Sequence, residues 1–90
     1  MSMSQIEVTV LYFAAASTAV GLTEERVALQ PSFHLNALGD HLISLHPNCG
    51  LDKVLQSSQW SVDAEMVEDV DQVVLKGGEE IAIICPVSGG

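Results

Sequence analysis

The sequence predicts an α+β roll, in which one main helix packs across a mixed β-sheet. An alternating stretch of β-branched and aromatic residues near the start predicts a strand, and an apolar run near the end predicts another. Between them, leucines recur at spacings of three and four residues, which is typical of a helix with one buried face. The order of these elements favours a sheet whose strands come from both ends of the chain.

The composition indicates one domain with one core. The chain has 90 residues, of which 48% are hydrophobic. Twelve acidic residues against three basic ones give a net charge of -9. This charge opposes binding to nucleic acid or to an anionic membrane, so we expect neither as a partner. A protein with a basic surface is the favoured partner, although the acidic residues also serve to keep a small apolar domain in solution.

No targeting or membrane segment is expected. The first ten residues, MSMSQIEVTV, lack a basic region followed by a long apolar run. No stretch approaches the roughly 18 apolar residues of a membrane span. We therefore expect a cytosolic protein whose two cysteines, Cys49 and Cys85, are buried free thiols, because their spacing fits neither a redox pair nor a zinc knuckle.

The three histidines do not predict a metal site. No carboxylate or cysteine stands at ligand spacing with two of His34, His41 and His46 on one helical face. We expect His34 and His41 to be surface residues on the solvated flank of the main helix.

The first third of the chain predicts an antiparallel pair of strands with a wide connection. In residues 5–13, alternation places Ile6, Val8, Val10 and Tyr12 on one face and Glu7, Thr9, Leu11 and Phe13 on the other. We expect a central strand that is covered on both faces toward its end. A short helical turn follows and stops at Gly21, and residues 24–31 form the second strand, which Pro31 ends.

The main helix is predicted over residues 32–47. Ser32 can cap its start, and Pro47 forbids its continuation. Its apolar stripe is expected to pack on the sheet and comprises Leu35, Leu38, Leu42 and Leu45.

The remaining residues predict short elements and a buried last strand. Residues 48–59 contain one short helical turn, and residues 60–67 form two short strands around Asp63 and Ala64. An acidic loop over residues 68–75 and a glycine turn over residues 76–80 follow. The final strand begins at Glu80, and its apolar run implies burial on both faces. Trp60 is expected to fill the core.

A crossover between the first and last strands can place them side by side and parallel, which is the β-grasp arrangement. We therefore divide the chain into a β-grasp domain, residues 1–85, and an extended tail, residues 86–90. Pro86 cannot donate a ladder hydrogen bond and begins the exit from the sheet. Five extended residues reach about 17 Å.

The tail offers one functional group of interest, the α-carboxylate of Gly90. Ser88 is its only nucleophilic side chain, and no histidine or aspartate in the tail can activate it, so we do not expect an enzyme acting alone. Gly89 and Gly90 fit a channel too narrow for a Cβ. Joining the carboxylate to AMP would activate it, and sulfur could then displace the AMP to give a thiocarboxylate. This chemistry describes a carrier.

The segments VTVLYFA, SVDAEMV and LKGGEEIAIICPVSGG, together with the length, resemble the small, sulfur-carrying subunits of molybdopterin synthase, in the ubiquitin-like MoaD/ThiS family. The resemblance covers the whole chain in order. Cys85 stands where the family usually has a second proline, which leaves the exit less stiff and adds a thiol.

This resemblance implies a role in molybdenum cofactor biosynthesis. An E1-like enzyme would adenylate Gly90, and a sulfur donor would convert it to a thiocarboxylate. Pro86, Val87, Ser88 and Gly89 would enter the large synthase subunit, where sulfur passes to cyclic pyranopterin monophosphate. Two small and two large subunits would form the complex, with catalysis on the large subunit and no cofactor bound by the small one.

The resemblance also implies a docking surface that maps to Phe13, Met66 and Ile84. Core packing is the alternative for Phe13 and Ile84, whereas Met66 is expected to be exposed on a short outer strand.

Two close alternatives use the same Gly90: a ubiquitin-like modifier of proteins and the thiazole-synthesis sulfur carrier. For the modifier, only Lys53 and Lys76 could link copies of the chain. A binding module with an incidental end is the third alternative.

Overall fold

A computed structural model describes residues 5–85, so the predicted tail residues Pro86, Val87, Ser88, Gly89 and Gly90 lie outside the described residues. The described part contains seven strands and three α-helices. The strands are β1 (Ile6–Tyr12), β2 (Glu24–Leu29), β3 (Phe33–His34), β4 (Gln59–Val62), β5 (Glu65–Met66), β6 (Val74–Leu75) and β7 (Glu80–Ile84). The helices are α1 (Ala15–Val20), α2 (Leu38–Leu45) and α3 (Leu51–Gln56). Short 3-10 turns span Leu35–Ala37 and Val70–Gln72.

The main sheet is mixed and has the strand order β2-β1-β7-β4-β5. β1 and β7 are parallel neighbours at its centre, with Val10 opposite Ile81. The other pairs are antiparallel. The predicted β-grasp roll, with the first and last strands side by side, is therefore confirmed.

The predicted connection between β1 and β2 is also confirmed. It contains α1, which ends where Gly21 adopts a left-handed conformation with φ of 78°. The Gly21 amide donates to the Ser17 carbonyl oxygen at 2.8 Å. Glycine adopts this conformation without the penalty of a Cβ, so it ends the helix cleanly.

The prediction of one continuous helix over residues 32–47 is wrong at its start. Ser32 has φ of 60° and lies in a turn before β3, so it does not cap a helix. β3 pairs with β6 in a separate two-stranded sheet, with Phe33 opposite Leu75. The Leu35 amide donates to the Val73 carbonyl oxygen at 3.0 Å. The backbone amide at this position is therefore hydrogen-bonded to a segment that is distant in sequence and not to a helical turn. The helix proper begins only at Leu38.

The predicted apolar stripe is correct for Leu35, Leu38 and Leu42, each at most 1% exposed, and wrong for Leu45, which is 45% exposed. α2 ends at Leu45, so no further helical turn packs over that side chain. His34 is exposed as expected. His41 is half-buried rather than a free surface residue, because its ring lies edge-on to Phe33 at 5.9 Å between centroids.

The two short strands predicted around Asp63 and Ala64 are β4 and β5. Asp63 and Ala64 have φ of 51° and 71°, as a two-residue hairpin turn with both central residues at positive φ requires. The acidic loop that follows contains a 3-10 turn, in which the Asp69 carboxylate accepts from the Asp71 amide at 3.0 Å. The loop then adds β6, which pattern alone did not predict.

The glycine turn before β7 lies against the start of β1. Gly77 has φ of 117°, and a Cβ built there would lie 3.1 Å from the Cβ of Ile6. The Gly78 amide donates to the Glu7 carbonyl oxygen at 2.7 Å. The turn thus requires glycine both for its conformation and for its close approach to β1.

One apolar core lies between the helices and one face of the main sheet. Strands and helices contribute buried side chains to the same cluster: Val8, Val10, Tyr12, Ala16, Val27, Leu29, Leu35, Leu38, Leu42, Leu51, Leu75, Ile81 and Ile83. Trp60 is half-buried at its margin, so it packs against the core without filling it. β7 is buried on both faces, as predicted, through Ile81, Ala82 and Ile83.

Candidate functional site

The main sheet has a second face, opposite the core, which we call the open face. Pairing in register places Leu11, Ala82, Ser61 and Met66 in one row across β1, β7, β4 and β5. Since neighbouring strands lie about 4.8 Å apart, this row extends over about 14 Å. The expectation that the first strand is largely covered on both faces toward its end is wrong on this face, because Phe13 is 48% exposed.

The three predicted docking residues all belong to the open face, and we call them the docking patch: Phe13, Met66 and Ile84. Met66 is 51% exposed and Phe13 is 48% exposed, while Ile84 is half-buried. Between them lie the small buried residues Ala82 and Ser61. Large exposed apolar side chains around a shallow depression lined by small residues form a surface that a protein partner can cover. Whether the patch docks a partner remains a prediction.

The chain leaves the sheet beside this patch. Cys85 directly follows β7, and its Sγ lies 3.5 Å from the Phe13 carbonyl oxygen. The same Sγ lies 3.6 Å from Ser58 Oγ. These contacts hold the last described residue between β1 and the end of α3. Gly90, the predicted carrier group, and residues 86–89 lie outside the described residues, so their roles remain predictions.

Both cysteines are free thiols, as predicted, but each is half-buried and not fully buried as expected. Cys49 Sγ donates to the His46 carbonyl oxygen at 2.9 Å.

A polar cluster on the core side contains Tyr12, Glu25 and His46. Glu25 Oε1 accepts from the Tyr12 hydroxyl at 2.8 Å and lies 2.8 Å from His46 Nε2. Burial raises the pKa of Tyr12, and the hydrogen bond to Glu25 raises it further. The phenol therefore keeps its proton at neutral pH and joins β1, β2 and the end of α2 together. Sequence reasoning missed this cluster, because its members stand far apart in the chain.

Two further findings concern function classes. Among residues 5–85, no three histidine, cysteine or acidic side chains come together in a way that could hold a metal ion. In the same part of the chain, none of the helices has the length and apolar character needed to cross a bilayer.

A family model and curated relatives place this chain among the same group of proteins. The ThiS family model matches residues 10–90. A molybdopterin synthase sulfur carrier subunit from Mycosarcoma maydis is 38% identical over 94 residues, and the alignment covers 100% of both chains.

Solved structures show the same fold. SAMP1 from Haloferax volcanii matches with a TM-score of 0.79 at 21% identity, covering 93% of this chain and 99% of that one. A chain of the complex of subunits 1 and 2 of molybdopterin-converting factor from Helicobacter pylori matches with a TM-score of 0.65 at 19% identity, covering 94% and 100%. The matches over the whole chain show that it belongs to the ThiS family and is a homologue of molybdopterin synthase sulfur carrier subunits.

Proposed function

We propose that this chain is the sulfur carrier subunit of a molybdopterin synthase and that Gly90 carries the sulfur. The observation that supports this most directly is the position of the docking patch beside Cys85, from which only five residues lead to Gly90. A partner that covers Phe13 and Ile84 thereby also meets the start of the tail. At full extension those five residues span about 17 Å, which is enough to enter an active site below the covered surface.

The first chemical step activates the Gly90 carboxylate. A carboxylate is a poor electrophile, because attack on it would require expulsion of an oxide. In the proposed reaction, a Gly90 oxygen attacks the α-phosphorus of ATP on an E1-like enzyme, and pyrophosphate leaves. A donor persulfide then attacks the acyl carbon and AMP leaves. A thiol cleaves the resulting acyl disulfide, which releases the thiocarboxylate and joins the thiol to the donor as a disulfide. The chain thus carries AMP and then sulfur in turn, without a resident cofactor.

The second step transfers the sulfur in the large subunit. The tail, Pro86 to Gly89, places the thiocarboxylate in the active site, where its sulfur attacks an electrophilic carbon of cyclic pyranopterin monophosphate. A C–S bond forms there as a C–O bond of the precursor breaks and its oxygen leaves, and the carrier is then held as a thioester. Water then releases the carrier with its Gly90 carboxylate restored. Two carriers are consumed per dithiolene, which accords with a complex of two small and two large subunits.

The described residues contribute docking rather than bond-breaking. The polar cluster of Tyr12, Glu25 and His46 lies on the core side, and the raised pKa of Tyr12 makes its phenol a poor proton donor. The net charge of -9 favours approach to a basic partner surface. We therefore assign the catalytic groups to the large subunit and the reactive carboxylate to this chain.

The test is intact-mass analysis after incubation with the E1-like enzyme, ATP and a sulfur donor. We expect one oxygen to be replaced by sulfur, and fragmentation of the C-terminal peptide to locate the change at Gly90. Addition of the large subunit and the pterin precursor should then return the original mass and form the dithiolene.

Two variants separate the chemistry from docking. Deletion of Gly90 should abolish thiolation, because the residue that is activated is removed. Phe13→Asp keeps Gly90 and should still be thiolated at saturating concentrations of the E1-like enzyme, but it should transfer sulfur poorly at low concentrations of the large subunit. Normal sulfur transfer by the chain without Gly90 would show that the proposed carrier group is wrong.

A further inference from the structure

A groove lies on the helix side of the main sheet, opposite the open face. It has a volume of about 360 Å³, within the range of about 300–1,000 Å³ that ligand pockets span. Its apolar wall comes from the 3-10 turn before α2 and from α2, α3 and β4: Leu35, Ile43, Leu55 and Trp60. Trp60 pairs with Ile83, whose side chain is in the core, and this places the groove on the core side of the sheet.

Among residues 5–85, the charged residues that line this groove are all acidic. Asp40 and Asp52 are the ionisable residues that line it. Both carboxylates are on exposed residues, so they form a negatively charged rim around an apolar wall. Such a combination favours a ligand with an apolar body and positively charged ends.

The groove continues around the edge of the sheet. A second groove of about 490 Å³ shares Trp60 and Val70 with it and extends to Met66 in the docking patch. Glu68 is the ionisable residue of this second groove. The two grooves are therefore neighbours along Trp60 and Val70, and carboxylates line both of them.

Gly39 keeps the groove open at the first turn of α2. A Cβ at this position would lie 3.5 Å from Leu55 Cδ1 and 3.6 Å from Trp60 Cζ2. These are ordinary contact distances, so the fold would accept alanine here, and alanine is the better helix former. The glycine leaves space beside Trp60 that a side chain would otherwise occupy.

We propose that this groove binds a short apolar peptide segment of a partner protein, flanked by lysine or arginine. A second copy of the chain is disfavoured, because it also carries a charge of -9. Nucleic acid would be repelled by the same carboxylates. The groove approaches the docking patch at Met66, so a partner on that patch can extend a basic segment into it. The binding itself requires no chemistry at Gly90 and therefore goes beyond the proposed function.

The single tryptophan of the chain makes the proposal directly testable. Trp60 fluorescence is titrated with the tryptophan-free peptide acetyl-KLFKLLK-amide and, as a control, with acetyl-ELFELLE-amide. We expect a saturable change with the basic peptide that weakens as salt is added, and no saturable change with the acidic one. Equal responses to both peptides, or none to the basic one, would overturn the proposal.

Matched variants locate the binding. Asp52→Lys should weaken binding of the basic peptide about five- to tenfold, by reversing one rim charge. Glu7→Lys makes the same change in net charge at an exposed position on the open face and should leave binding nearly unchanged. Equal weakening by both would show a response to net charge alone, which contradicts a specific groove.

Gly39→Ala tests the apolar part of the groove without a change in charge. We expect it to unfold no earlier than the parent chain and to bind the basic peptide at least twofold more weakly. Unchanged affinity in this folded variant would argue against occupancy beside Trp60. Analytical ultracentrifugation at several protein concentrations tests whether a second copy of the chain occupies the groove instead. If the parent chain dimerises and Gly39→Ala does not, the groove binds a second copy and the proposal is wrong.

Discussion

The two faces of the main sheet differ in what their side chains do, although the same strands supply both. On the core side, Val10, Tyr12, Ile81 and Ile83 are at most 1% exposed and pack under the helices. On the open face, Phe13 and Met66 have about half of their surface in solvent. Because successive side chains of β1 and β7 point to opposite faces, neighbouring residues can contribute separately to the stability of the core and to docking on the open face.

The largest effect on stability is expected from Leu42→Ala. Leu42 is fully buried between α2 and the sheet, so truncation leaves a cavity in the core. We expect a loss of about 2–5 kcal/mol in the free energy of unfolding. Chemical denaturation measures this loss, and an unchanged unfolding midpoint would contradict the assignment of Leu42 to the core.

The second prediction concerns the open face. Phe13→Ala should change the free energy of unfolding by no more than about 0.5 kcal/mol, because the side chain is half exposed. The free energy of binding between this variant and the large subunit should become about 1–3 kcal/mol less favourable, because Phe13 belongs to the docking patch. Titration calorimetry of the two subunits measures the affinity.

Leu45→Ala is the matched control for Phe13→Ala. Leu45 is an apolar residue of similar exposure, 45% against 48%, but it lies at the end of α2. We expect it to leave the affinity for the large subunit unchanged. If both variants weaken binding equally, the distinction between the two faces is wrong.

The third prediction tests the glycine turn between β6 and β7. Gly77→Ala would require φ of 117° and bring a Cβ within 3.1 Å of Ile6. We expect a loss of about 1–3 kcal/mol in the free energy of unfolding. Gly50→Ala, at φ of 87° with no atom within 4 Å, should cost less. An equal cost for both would mean that contact with Ile6 adds nothing to conformational strain.

The smallest effect is expected from the polar cluster and appears only at high pH. Because the folded state raises the pKa of Tyr12 above its ordinary value of 10.0, the unfolded chain loses the phenolic proton first. The stabilisation from this group is therefore complete below pH 10 and decreases as the pH rises above that value. Denaturation midpoints on both sides of pH 10 should show a steeper decrease for the parent chain than for Tyr12→Phe. Parallel curves would contradict the raised pKa.

Local pattern was sufficient to predict the strands of the main sheet. The alternation in β1, the apolar run in β7 and the turn around Asp63 and Ala64 each specify structure through neighbouring residues. The parallel pairing of β1 with β7 followed from their order and from the single crossover between them. The docking residues came from a family resemblance, and the structure adds that they share the open face.

Features that depend on distant partners were not predictable in this way. Phe33 and His34 fit a helical pattern, but pairing with Val74 and Leu75 makes them a strand. The periodicity that includes Leu45 says nothing about where the helix ends. Likewise, Tyr12 and Glu25 meet His46 only after the hairpin and α2 have packed together.

The parallel pairing of β1 and β7 has a consequence for how the protein is made. The centre of the sheet joins the two ends of the chain, so its contacts have a high sequence separation and form late in folding. During synthesis the N-terminal strand must wait until β7 has left the ribosome before the core can close. A chain that terminates early therefore lacks the central strand and remains open to proteolysis. Quality control in the cell would thereby favour carriers whose synthesis continued at least to the base of the tail.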